Sequence, residues 1–159
     1  MSGSGMGGCP GSRMQDFRGK DEKKADESGH RASELRQWPI QLHLVSPEAP
    51  YYQKADVLLS ADCVAYTAGD FHKDYLKGKS IAIACPKLDE GQEVYVEKIK
   101  SFIDDAKINT LTVMTMQVPC CAGLAAMAEQ ALHSAKRKIP IKSIVVSLQG
   151  DILSEDWVQ

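Results

Sequence analysis

Five short runs of strand-forming residues, most of them followed by a helix-length stretch, constrain this chain more than any other feature. Residues 40–45 alternate Ile40, Leu42 and Leu44 with Gln41 and His43, the period-two signal of a strand. Residues 56–60, 80–84, 110–116 and 143–148 are apolar or β-branched runs of the length that a buried strand takes. Between the third and fourth runs, Val94, Ile99, Phe102, Ile103 and Ala106 fall on or near one face of a helix. Beyond the fourth, Leu124, Met127, Ala128, Ala131, Leu132 and Ala135 make a second stripe at helical spacing. Asp70 is expected to cap a short helix over residues 71–78, closed by Gly78.

Alternation of this kind calls for a mostly parallel sheet with helices on both faces, because a parallel crossover needs a long connection. The expected fold class is therefore α/β: a three-layer α/β/α sandwich with about five mostly parallel strands, flavodoxin-like or Rossmann-like. Right-handed crossovers would put the carboxyl ends of those strands on one side of the sheet. One such domain is the natural reading of 159 residues. Residues 1–37 are expected to be a flexible N-terminal arm carrying Cys9, since GKDEKKADESGHRASE is charged and almost free of large apolar groups. Residues 38–159 are expected to be the folded domain.

The five cysteines follow this organisation. Cys63 ends VLLSADC, Cys85 ends SIAIAC, and the adjacent Cys120 and Cys121 end TLTVMTMQVPCC, while Cys9 stands apart in GGCPGS. None falls inside a strand run, although a buried cysteine behaves as a small hydrophobe with no reason to avoid one. In a parallel sheet, three separated positions would deliver sulfur to a single edge, which is where open α/β sheets hold their ligands. Soft thiolates gathered there read first as a metal or iron–sulfur site.

Structural zinc is the other metal, but it uses closely spaced Cys-x-x-Cys knuckles that this chain lacks. Cys9, Cys63, Cys85 and one of the tandem pair would meet the four ligand positions of a [4Fe–4S] cluster. The fifth cysteine would then sit beside the cluster, replace a ligand, or belong to a larger one. A reactive thiol pair without metal is the competing account of Cys120 and Cys121. At least one of them lies near the start of the second helical stripe, where the helix dipole is expected to favour thiolate over thiol.

Composition excludes several other classes. With 43% hydrophobic and 25% charged residues and a formal net charge of -2, no nucleic-acid surface is expected. The basic run Lys136-Arg137-Lys138 falls at a helix end, where cations suit the dipole. No apolar run is long enough for membrane insertion, and no export signal opens the chain, so a cytoplasmic protein with reduced thiols is expected. His43 and His133 read as structural or surface groups, and His72 as a possible neighbour of the second strand's end. Asp62 and Asp70 flank the same loop and would suggest acid–base chemistry only if they converge. No residue is assigned a catalytic role.

The strings GCPGSR (8–13), RQWPIQLHLV (36–45), ADCVAY (61–66), GDFHKDYLKGK (69–79), CPKLD (85–89) and VPCCAGL (118–124) together resemble an anaerobe family of iron–sulfur-cluster-binding, ferredoxin-like proteins. The resemblance extends over nearly all of residues 36–150 plus the segment around Cys9. It implies that Cys9, Cys63, Cys85, Cys120 and Cys121 each occupy a family cysteine position. This chain lacks the conventional ferredoxin segment of longer relatives, so a stand-alone cluster domain is implied. The expected function is electron transfer through an iron–sulfur cluster to a redox protein partner. A cluster-dependent enzyme with an open iron site, and a metal- or redox-sensing thiol protein, are the alternatives.

Overall fold

The computed structural model describes residues 10–19 and 29–158. In chain order its elements are β1 (Gln15–Asp16), β2 (Gln37–Trp38), β3 (Asp56–Ala61), α1 (Val64–Thr67), β4 (Ser80–Ala84), α2 (Gln92–Asp104), β5 (Thr110–Met116), α3 (Ala122–Ser134), β6 (Ile141–Val146) and β7 (Ile152–Val158). A single π-helical turn, His72–Leu76, lies between α1 and β4.

The main sheet has the order β4-β3-β5-β6-β7. β3, β4, β5 and β6 pair in parallel, and β7 runs antiparallel to β6. β5 is buried from Leu111 to Met116, as a central strand covered on both faces must be. From β3 the chain moves first to β4 on one side and later to β5 on the other. The strand order therefore reverses between β3 and β5, the switch point at which a doubly wound sheet opens a crevice.

α2 and α3 pack against one another and so share a face. Right-handed crossovers place α1 and the π-helical turn on the opposite face, which completes the three-layer α/β/α sandwich. α2 buries Tyr95, Ile99, Phe102 and Ile103 at helical spacing. Phe102 meets the Tyr52 ring at a centroid distance of 4.6 Å. α3 buries Leu124, Met127, Ala128 and Ala131, and its alanines let the backbone lie close to β5 and α2. The basic run after α3 closes it: Lys138 Nζ donates to the carbonyls of Leu132, His133 and Ala135.

Four local expectations change. The alternating residues 40–45 are not a strand; Gln41 forms one isolated bridge to Ile83, and the N–H groups of Leu44 and Val45 turn back to the Gln41 carbonyl. Lys98 holds that turn by donating to the carbonyls of Leu42, His43 and Val45, a tertiary contact that outweighs the local alternation. The fifth strand of the sheet is instead β7, whose SED centre hides its strand character. Val94 points to solvent and Tyr95 takes its place in the core. Asp70 makes no helix cap: it forms an ion pair with Arg31 at 2.5 Å, and Phe71 stands at the N-cap of the π-helical turn.

The outer edge of β4 is covered by polar groups in place of a strand. Gln37, fully buried, accepts from the Ile81 N–H and donates to the Ile81 carbonyl, each at 2.9 Å, copying the hydrogen bonds of a neighbouring strand. Its amide also donates to the Tyr52 hydroxyl, which in turn donates to the same Ile81 carbonyl. Gln37→Leu leaves the buried Ile81 N–H without a partner and should destabilise the fold by about 3 kcal/mol in urea denaturation.

At the other end of the core, Asp104 accepts from the backbone N–H groups of Lys136 and Arg137 at 3.1 and 3.0 Å. These bonds, the one from Arg137 foremost, hold its carboxyl below the ordinary aspartate range. A lowered folded-state pKa gives stability that is present above the unfolded value and lost as pH falls through the folded one. Asp104→Ala should therefore lower the melting temperature at neutral pH, and the gap should close in acid below the aspartate range.

Candidate functional site

The loops leaving β3, β4 and β5 emerge side by side, because the three strands are parallel neighbours. The first continues the sheet by one bond, from Asp62 N–H to the Ala84 carbonyl at 3.1 Å, and then delivers Cys63 at the start of α1. Cys63 is exposed, and its carbonyl accepts from Thr67 Oγ1 at 2.9 Å.

Cys85 follows Ala84 directly and is half-buried. Its loop, CPKLD, is closed by Asp89. The Asp89 carboxylate accepts from the Cys85 N–H, and the Asp89 N–H donates to the Cys85 carbonyl, both at 2.9 Å. The Tyr95 hydroxyl donates to the same carboxylate, anchoring the loop on α2. Gln92 adds a bond from its side-chain amide to the Pro86 carbonyl.

Beyond β5, Pro119–Cys121 form a 3₁₀ turn that runs into α3. Cys120 is exposed, while Cys121 is buried with its N–H on the Val118 carbonyl at 3.1 Å. This turn touches the Cys85 loop: a Cβ on Gly123 would lie 3.4 Å from Pro86 Cβ, so the missing side chain sets how closely the two loops pack. The loop after β6 closes the same edge. Gly150, at φ +93°, lies so near the end of α1 that a Cβ there would fall 2.6 Å from the Thr67 carbonyl oxygen.

The electrostatics of this edge are acidic and partly dry. Burial raises the Asp62 carboxyl above its ordinary range, and nearby Asp89 adds to the effect. Asp62 Oδ1 is buried with no hydrogen-bond partner among the described residues. The acid that Asp62 meets is thus Asp89, while Asp70 is engaged with Arg31. The Cys121 thiol is also pushed up, first by burial and then by Cys120 and Cys63, against a lowering backbone bond from Met116. Burial is the first of these causes at Cys121. The same interactions place Cys63 and Cys120 each within electrostatic reach of Cys121.

The structure therefore brings together Cys63, Cys85, Cys120 and Cys121 on one edge. Cys9 lies outside the described residues. In the adjoining segment, Asp16 and Gln15 pair antiparallel with Gln37 and Trp38, and Trp38 Nε1 donates to the Gly11 carbonyl. His72 Nδ1 accepts the Glu34 N–H, and His43 packs on Tyr95. Among the described residues, no three His, Cys, Asp or Glu side chains converge closely enough to hold a single metal ion. Shallow grooves of about 350 and 290 Å³ lie along α2, and neither is lined by a cysteine.

A further pattern escaped the sequence reading. Tyr66, Leu88 and Leu148 are the most exposed large apolar residues described, at 94%, 78% and 64% of their surface. All three lie at this carboxyl edge, just beyond β3, β4 and β6. The role of Asp89 also went unread; its position four residues after Cys85 is the signal that could have revealed it.

A Rossmann-like domain model matches residues 49–158 of the sequence. The chain belongs to this family. An uncharacterized protein of Archaeoglobus fulgidus is 31% identical to it over 121 residues, covering 75% of this chain and 83% of the relative. No solved structure matches the chain. This Rossmann-like domain also has no described helix long and apolar enough to cross a membrane.

Asp89→Ala removes the partner of the Cys85 N–H and the anchor of Tyr95 together. It should cost about 2 kcal/mol of stability and speed alkylation of Cys85 in peptide-mapped labelling, leaving labelling of Cys120 unchanged.

Proposed function

We propose that this domain binds an iron–sulfur cluster through thiolates at the carboxyl edge of its sheet and serves in electron transfer. The observation that carries this reading is the convergence of the Cys63, Cys85 and Cys120–Cys121 loops on adjacent parallel strands flanking the switch point. The donor set fits such a group: soft, free thiols just beyond the ends of neighbouring parallel strands. When bound, a cluster of this kind accepts and releases electrons at a potential set by its surroundings.

In this reading, Cys63, Cys85 and Cys120 are ligands, with Cys9 as the fourth. Cys121 packs beneath them, since it is buried where the 3₁₀ turn enters α3. Asp89 fixes the backbone at Cys85 and so sets the direction of that ligand. Traced back from Asp16, the arm runs the same way as the segment from Gln37 to Gln41, which lies parallel to β4 and heads for the cysteine edge. Tyr66, Leu88 and Leu148 supply a rim for a redox protein partner. Exposure of Cys63 and Cys120 at this edge supports exchange of electrons with a partner's surface.

Anaerobic reconstitution with iron and sulfide should give a brown protein with about four irons and four acid-labile sulfides per chain, whose visible absorption bleaches with dithionite. Cys63→Ala, Cys85→Ala and Cys120→Ala should each lose most of that iron and sulfide. Cys121→Ala should retain it, and Cys9→Ala should bind the cluster more weakly. Colourless protein with stoichiometric zinc and no sulfide would overturn the assignment.

A further inference from the structure

The two edges of the sheet are treated differently. The β4 edge is closed by Gln37 and by the bonds that Ile40 and Leu42 make to Ile83. The β7 edge has no such cover among the described residues, and the one extensive packing partner of β7 is β6. A free strand edge presents a row of unpaired backbone N–H and C=O groups, which soluble proteins normally blunt with charged side chains (lysine above all), proline, bulges, a short strand or a covering element. β7 is not blunted by proline, lysine or shortness, although Glu155, Asp156 and a bulge at Leu153 interrupt it. It instead exposes Leu153 and Trp157, at 56% and 59% of their surfaces, with Ile152 also open to solvent.

We propose that β7 is a dimerisation strand, pairing antiparallel with β7 of a second copy to join the two sheets edge to edge. The strand's own sequence selects that occupant. A two-fold axis through Glu155 sets Ser154 opposite Asp156 of the second copy and, across the bulge that leaves Leu153 out of the ladder with β6, brings Leu153 toward its Trp157 and Ile152 toward its Val158. Each Leu–Trp pair is an apolar–aromatic cross-strand contact, and the symmetry makes two of them. Glu155 meets its own counterpart at the axis, which alone would be repulsive. In each copy, however, Glu155 is already ion-paired with Lys142, whose ammonium also sits 5.5 Å from the centre of the Trp157 ring. Two acids and two ammonium groups therefore meet at the axis with no net charge. A second copy also matches the strand in length, so it leaves no part of the apolar edge uncovered. This interface lies on the side strand of the sheet, apart from the cysteine loops, and does not depend on the proposed cluster.

Sedimentation velocity of the full chain over a range of concentrations should show twice the chain mass, relaxing to the monomer on dilution. Leu153→Lys and Trp157→Glu, each checked for folding by circular dichroism, should raise the dimer dissociation constant by at least about tenfold. The double variant Leu153→Lys/Trp157→Glu places opposite charges across both pairs in this register and should recover the dimer. A monomer throughout the concentration range, or a dimer that both single variants leave intact, overturns the proposal. Loss of the dimer in each single variant without recovery in the double variant overturns the pairing through Glu155.

Discussion

Parallel pairing of β3 with both β4 and β5 is the constraint from which the rest of this molecule follows. It requires long crossovers, and these supply α1 with the π-helical turn on one face and α2 on the other. It also sends the loops after these strands out of the same edge. A cysteine just beyond each strand is consequently brought beside the others, although Cys63 and Cys120 are far apart in sequence. Their proximity costs no dedicated binding loop, because the sheet's hydrogen bonds and buried core already hold the strand ends.

Holding those ends is not enough to aim the thiols, and the edge adds local devices to do so. Asp89 ties the Cys85 backbone to Tyr95 on α2, Gly123 admits Pro86 against the tandem-cysteine turn, and Gly150 lets the loop after β6 close on the end of α1. The first two join a cysteine-bearing loop to a neighbouring element, and the third closes on the end of the helix that Cys63 opens. The arrangement also carries an electrostatic burden, since Asp62 is drawn into a half-buried position beside Asp89 with an unpartnered oxygen. A functional edge is where such a departure from full polar satisfaction is expected.

Much of the architecture was legible because its signals are local and strong. The β3, β4, β5 and β6 runs are apolar enough to declare themselves as buried strands, and the Leu124–Met127–Ala128–Ala131 stripe declares a helix. The failures have a common cause. Residues 40–45 alternate like a strand, yet Lys98, more than fifty residues downstream, supplies three hydrogen bonds that make them a turn. β7 carries Ser154, Glu155 and Asp156 at its centre, and only its ladder with β6 makes it a strand. The cysteine edge could be foreseen from strand ends alone. The burial of Cys121 beside an exposed Cys120 could not, because it depends on how the 3₁₀ turn enters α3 and on which side of that turn meets the core.

The exposure pattern at the cysteine edge bears on the kind of chemistry it can support. Catalysis on a small molecule benefits from a concave, water-excluding pocket, whereas exchange of an electron requires close approach to a partner's surface. Cys63 and Cys120 are exposed, and the large apolar groups near them, Tyr66, Leu88 and Leu148, project into solvent without closing over them. Scattered apolar residues on a surface need no explanation, but the three most exposed ones gathered at one edge do. An apolar rim around surface cysteines would let a partner dock by excluding water briefly over a small area. Such contacts suit the small, short-lived encounters of electron-transfer proteins. Tight docking through the same rim would slow release and so oppose repeated exchange.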